Sequence, residues 1–364
     1  MRVAVLGVGL IGGSIGLAAR RRLGAEVTGF DRDADVLARA LEVGAIDRSA
    51  ESLAEAVAAA DAVFCAGPVA ALPTLAAEAL EASGEDAVVT DVGSTKRQLA
   101  DAIAAHPQGS RFIGGHPLAG AETDGVENAR AELFEGARWY LTPDDRSQGV
   151  LFDRLHRLLA DIGARPQAID AAEHDRAMAT ISHLPHVLAN VLVNRVADGL
   201  SGESGRGLEV GRSFRDTTRV AGANPAVWAD ILSANGATVA DEIDVVIERL
   251  RESASLLREG DREAVERWQA GAREDRLAIA AAELSGGELH ELRLAVENRP
   301  GTVAEIALAL GKAGVNIEDM GLFPASDRRT GAISLWIAGS AEAERAAEVV
   351  GELGHGVSIV AGGA

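Results

Sequence analysis

The chain has 364 residues, of which 47% are hydrophobic and 25% charged, and its formal net charge is −20. That length exceeds what one hydrophobic core supports, so two or three domains are expected. The acidic balance argues against nucleic acid as a partner, because a phosphate backbone must be met by excess Lys and Arg. A single cysteine, Cys65, leaves no internal disulfide and no thiolate metal cage. No stretch approaches the ~20 uninterrupted apolar residues of a membrane span. The amino terminus MRVAVLGVGLIGG has no signal-peptide cleavage site and runs straight into glycines, so a cytoplasmic protein is expected.

From residue 1 to 165, the short apolar runs RVAVLG, EVTGFD, DAVFCAG, AVVTDVG, RFIGGH and RWYLTP alternate with alanine-rich helical stretches. Near-continuous apolarity suits strands buried on both faces. The alternation predicts an α/β domain with right-handed crossovers and an open, doubly wound parallel sheet. Cys65 falls in one of these strands and reads as a buried, inert thiol.

GVGLIG, from Gly7 to Gly12, follows the first predicted strand and opens a helix, and Asp31 ends the second strand. In that context the glycines are a Rossmann-type dinucleotide fingerprint. Gly7 permits the tight turn, Gly9 lets the backbone approach a pyrophosphate, and Gly12 allows close helix packing. Leu10 and Ile11 begin the helix whose free N–H groups face the phosphates. Gly67 and Pro68, in the turn after DAVFC, complete the expected cofactor set. Asp31 accepts from ribose hydroxyls and repels a 2′-phosphate, which favours NAD over NADP, while Arg32 beside it weakens that preference.

Ligands collect outside the carboxyl ends of such strands. DVGSTK brings Ser94 and Lys96 to that edge, and FIGGHPLAG brings His116 there on a loop shaped by its Gly and Pro neighbours. A hydroxyl-bearing carbon gives up hydride only as its O–H loses a proton, and a neutral imidazole with a usual pKa of ~6.5 suits that task. Ser94 is placed to bond the histidine or to bridge cofactor and substrate.

Between residues 166 and 285 the strand signals vanish and helical periodicity takes over, with wide apolar faces that an interlocked homodimer would bury. This segment carries SHLPH, from Ser182 to His186, and FRDTTRVAGANPAVW, from Phe214 to Trp228. Arg219 can grip a carboxylate with two parallel hydrogen bonds. Asp216, three residues earlier on the same helical face, can hold that guanidinium. For His186 and Trp228, core packing and ligand contact stand as equal alternatives. Residues 288–364 then read as β-α-β-β-α-β, a small third α+β domain.

In order and spacing, the dinucleotide fingerprint, DVGSTK, GGHPLAGAE, SHLPH and FRDTTR resemble the prephenate dehydrogenase family across residues 1 to about 285. The resemblance implies NAD-dependent oxidative decarboxylation of prephenate to 4-hydroxyphenylpyruvate in tyrosine biosynthesis. It implies that His116 pairs with the ring hydroxyl and that Ser94 contacts His116 and the ligands. Arg219, supported by Asp216, would bind a substrate carboxylate, with His186 near the side-chain end and Ser182 a further substrate-binding residue. Glu122 would lie near the pocket entrance, and Trp228 would supply an aromatic contact. Aromatisation supplies the driving force, so no metal is expected.

The stretch VENRPGTVAEIALALGKAGVNIEDM resembles the ACT domain, a small-molecule sensor. That resemblance implies feedback by an aromatic amino acid, tyrosine or phenylalanine, at Asn298, Arg299, Pro300, Gly301, Asn316 and Ile317. Asn298 departs from the commoner acidic residue there. The alternatives are arogenate dehydrogenase, a β-hydroxyacid dehydrogenase and an inactive NAD-binding sensor. The second relies on a helical-domain lysine, and this chain has none between Lys96 and Lys312.

Overall fold

Apolar after its first residue, RVAVL becomes a strand buried from its second residue onward, β1 (Arg2–Leu6). In the computed structural model, which describes all residues but 121–122, 201–209, 284–288, 298, 300, 325–328 and 361–364, β1 starts an alternating series. It continues with α1 (Leu10–Leu23), β2 (Glu26–Phe30), α2 (Ala34–Glu42), β3 (Arg48–Ser49), α3 (Leu53–Val57) and β4 (Ala62–Cys65). Then come α4 (Leu72–Ala82), β5 (Val88–Asp91), α5 (Arg97–Ala104), β6 (Phe112–Pro117), β7 (Arg138–Thr142), α6 (Gly149–Asp161) and β8 (Arg165–Ala168).

These strands form one sheet in the order β3-β2-β1-β4-β5-β6-β7-β8. The pairs from β3 to β6 are parallel, as the doubly wound plan requires. The β6–β7 pair is antiparallel, because the intervening chain carries two short 3₁₀ turns, Val126–Asn128 and Ala131–Phe134, instead of a crossover helix. β8 then pairs parallel with β7. Two strands, β3 and β8, carry no sequence signal: RS and RPQA are largely exposed edges without an apolar run. Separate apolar cores fill the two faces of the sheet, one around Ile15, Phe134 and Trp139, the other around Leu72, Leu80 and Val89.

A helical series follows: α7 (Ala171–Met178), α8 (Leu184–Leu200), α9 (Arg212–Thr218), α10 (Pro225–Ala234), α11 (Gly236–Glu259) and α12 (Arg262–Glu283). One turn of π-helix, Ala179–His183, joins α7 to α8 without a break. Among the described residues no helix is long and apolar enough to cross a membrane.

The chain divides into two compact units, Met1–Glu248 and Arg249–Ala364, so the division falls inside α11. The second unit contains β9 (Leu289–Glu297), α13 (Thr302–Lys312), β10 (Asp319–Pro324), β11 (Thr330–Ala338), α14 (Ser340–Glu352) and β12 (Gly356–Val360). Its antiparallel sheet, ordered β10-β11-β9-β12, is the split arrangement expected of a β-α-β-β-α-β chain. Alternation in β9 and β11 puts Leu292, Leu294, Ile333 and Leu335 against Ile306, Leu310, Ala346 and Val350 of the two helices. On the opposite face Glu291 accepts from Arg293 and Ser334, and Arg273 of α12 approaches it at 3.7 Å. That contact ties α12 to this sheet. Arg299 pairs with Glu305, Gly301 caps α13 at φ +93°, Asn316 donates to Glu318, and Ile317 packs on the core. Asn298 and Pro300 lie outside the described residues.

Candidate active site

The order of strands reverses between β2 and β4 on either side of β1, and the loops after β1 and β4 part there to leave a cleft of about 390 Å³. Gly7, Asp31, Arg32, Gly67 and Pro68 line it. Gly7 sits at φ +93°, and a Cβ there would stand 2.6 Å from the Ala66 carbonyl oxygen. A Cβ on Gly12 would stand 2.0 Å from the Gly7 carbonyl oxygen, whereas one on Gly9 would meet nothing within 4 Å. Open space at Gly9 is what a pyrophosphate needs. The α1 N-terminus has no side-chain cap and no acidic residue in its first turn, so the dipole and the N–H groups of Leu10 and Ile11 face the cleft edge unopposed. The Asp31 carboxylate accepts from the backbone N–H of Val8 at 2.9 Å and of Asp33 at 3.0 Å, which fixes it beside the glycine loop. The residues present therefore fit a dinucleotide.

His116 lies at the end of strand β6, 9% exposed, and so belongs to the strand rather than to a loop. Its two preceding glycines serve packing: a Cβ on Gly115 would stand 2.5 Å from the Asp91 carbonyl oxygen. The Gly115 N–H donates to Asp91 Oδ1 at 2.9 Å, and the Gly115 carbonyl accepts from Lys96 Nζ at 2.7 Å. Lys96 also pairs with Asp91 and is only 1% exposed, so it is part of the wall behind His116 and not of the ligand edge. Burial holds the His116 pKa well below 6.5, and His174, Lys96 and His183 add to the effect.

Five residues that the sequence reading did not single out complete the surroundings. His116 Nδ1 meets His174 Nε2 at 2.9 Å, and His174 Nδ1 meets Asp175 Oδ1 at 2.8 Å. Asp175 also accepts from the backbone N–H groups of Lys96 and Arg97 at 2.8 and 2.9 Å. Burial works to raise its pKa, but the bonds from His174, Arg97 and Lys96 prevail and hold it low. Asn235, buried between α10 and α11, donates to the Asp175 carbonyl at 2.8 Å and lies 3.2 Å from His183 Nδ1. Burial takes the His183 pKa to about 4. Tyr140, opposite His116 in the β6–β7 register, presents its ring edge-on to His174.

His186 is buried and stacked on Trp228, with centroids 3.6 Å apart and planes 6° from parallel. Its Nδ1 has no partner among the described residues, and burial lowers its pKa. Ser94 is half-buried on the loop after β5, and Ser182 is exposed on the π turn. Arg219 is exposed and opens the 3₁₀ turn Arg219–Gly222, which packs on α8, the helix of His186. Asp216 meets Arg212 Nε at 3.4 Å across one helical turn. Glu122 lies outside the described residues.

Residues 15–168 match the family described as "Prephenate dehydrogenase, nucleotide-binding domain", and residues 170–270 match "Prephenate dehydrogenase, dimerization domain". The chain is 30% identical to the prephenate dehydrogenase of Bacillus subtilis over 354 residues, which is 96% of this chain and 95% of that one. It is similar to the crystal structure of Aquifex aeolicus prephenate dehydrogenase in complex with hydroxyphenyl propionate and NAD+. The TM-score is 0.72 at 30% identity, over 77% of this chain and 98% of that one. Synechocystis arogenate dehydrogenase gives a TM-score of 0.67 at 27% identity, over 76% and 99% of the two chains. With a dinucleotide crevice and a buried histidine at one sheet edge, and with similarity along both matched segments, this chain belongs to the prephenate dehydrogenase family.

Proposed function

We propose that this chain catalyses the NAD-dependent oxidative decarboxylation of prephenate to 4-hydroxyphenylpyruvate, with His116 as the base. NAD, which Gly7, Gly9, Gly12 and Asp31 would hold in the cleft, would supply the hydride acceptor for the hydroxyl-bearing ring carbon. His116 accepts the hydroxyl proton as that carbon becomes carbonyl-like. The bond to the ring carboxylate then breaks, carbon dioxide leaves, and its electron pair makes the ring aromatic, so that the phenolate oxygen recovers the proton from His116. The observation that carries this reading is the buried imidazole at the carboxyl end of β6, held neutral and bonded to protein through Nδ1.

Arg219 serves as the carboxylate grip with Asp216 in support, Ser182 is a further substrate contact, and Ser94 lies between His116 and the ligands. His186, buried with Nδ1 unpaired and stacked on Trp228, offers a neutral donor to the side-chain carboxylate. A donor imidazole suits the keto acid better than the ammonium of arogenate. Arogenate is the second reading, supported by the likeness to the Synechocystis enzyme. Rates on the two substrates compared side by side test the choice: prephenate should be preferred, and strict preference for arogenate would overturn it.

The enzyme works as a homodimer, a reading supported by the match to a dimerization domain. The start of α13 takes the carboxylate of an aromatic amino acid that feeds back on the rate, supported by its N-cap Gly301, which places no side chain over the helix N–H groups. Tyrosine or phenylalanine should shift the rate or the melting temperature, and no effect from any aromatic amino acid would refute it.

A further inference from the structure

We propose that His174 and Asp175 are positioning residues which fix the tautomer of His116, so that its Nε2 lone pair is the one offered to substrate. With both imidazoles neutral, the geometry leaves one consistent assignment of protons. An ionised carboxylate only accepts hydrogen bonds, and Asp175 already accepts from two backbone N–H groups, of Lys96 and Arg97. His174 Nδ1, 2.8 Å from Asp175 Oδ1, must therefore be the donor of that contact. A neutral imidazole carries a single N–H. Spent on Asp175, it makes His174 Nε2 an acceptor, so His116 Nδ1, 2.9 Å away, must donate to it. Neutral His116 then has its free electron pair on Nε2. His174 and Asp175 are both buried, so water does not compete for these bonds.

The same line of contacts serves the charged state. As the substrate O–H bond breaks and an N–H bond forms on His116 Nε2, the new imidazolium keeps its Nδ1–H on His174, whose own proton stays on Asp175. No proton has to leave the line, and the Asp175 carboxylate balances the charge from two residues away. The placement of Asp175 depends in turn on Asn235, which donates to its backbone carbonyl at 2.8 Å.

This inference deepens the proposed reaction and rests on it for its meaning, but its first test needs no substrate. In ¹⁵N spectra of the folded protein, His116 should carry its proton on Nδ1 and show Nε2 unprotonated; a proton on Nε2 would overturn the relay. His174→Phe keeps a ring in the space and removes both nitrogens. In that variant kcat on prephenate should fall about 100-fold or more, while KM and NAD affinity stay near their original values. His174→Gln retains an acceptor for His116 and should recover part of the loss. An unchanged kcat in a His174→Phe variant that still binds NAD would also overturn the proposal. If that variant fails to fold, the spectrum of the unmodified protein decides. Should the expected tautomer appear in a protein that does not turn over prephenate, the reaction is refuted and the relay stands.

Discussion

Around His116, burial in strand β6 opposes protonation first, and the charge of Lys96 at the start of α5 adds to it. A base works only while neutral, and a depressed pKa keeps it neutral to lower pH. The rate kcat/KM should therefore persist as the pH falls through 6.5 and decline only below it. An acid limb at or above 6.5 in the pH–rate profile would contradict this. His183 gives the corresponding statement for stability. Its pKa is about 4 folded and ~6.5 unfolded, so below 6.5 the unfolded chain binds a proton that the folded chain refuses. Stability is complete above that pH and is lost progressively toward pH 4. Melting temperatures between pH 7 and pH 4 check the sign. At this scale the sequence made His116, Asp31 and the glycine turn legible, because each sits beside local punctuation. His174, Asp175 and Asn235 carry no such mark, since only tertiary packing brings residues so far apart in the chain together.

The buried Lys96–Asp91 pair helps to join strands β5 and β6, because Lys96 also reaches across to the Gly115 carbonyl directly before His116. Removing one partner leaves a buried charge uncompensated, so Lys96→Met should cost about 3–5 kcal/mol. Denaturant unfolding measures it, and an unaltered midpoint would show that the pair is not what holds these strands. The sequence places Lys96 at the ligand edge for want of any signal that its charge is matched behind the strand. His183 escapes notice for a different reason. It lies nine residues after His174, which is two and a half turns of regular α-helix and so the opposite face. The π turn over Ala179–His183 winds wider and shifts that phase, which lets Asn235 reach both the Asp175 carbonyl and His183. Helical periodicity read from sequence assumes a constant pitch. At this turn the assumption fails.

Across the whole chain, the alternating strands, the helical series and the β-α-β-β-α-β end were legible because each has its own period, whereas the antiparallel β6–β7 pair and the edge strands β3 and β8 were not. Apolar faces remain open on the helical series: Ile181, Val191, Leu192, Val227 and Val245 are exposed. Soluble chains rarely leave such faces bare, so the protein should sediment as a dimer, and Val191→Glu combined with Val245→Glu should shift it toward monomer. Persistence of the dimer in that double variant would move the interface elsewhere. The central claim, that a neutral His116 drives prephenate oxidation, meets its most direct test in one assay. Prephenate and NAD+ are given to the unmodified protein and to His116→Asn, and NADH, carbon dioxide and 4-hydroxyphenylpyruvate are measured together. The account predicts equimolar products from the first, and from the second a rate lower by about 10²–10⁴-fold with NAD binding intact. Undiminished turnover by His116→Asn, or no turnover by the unmodified protein, would contradict it.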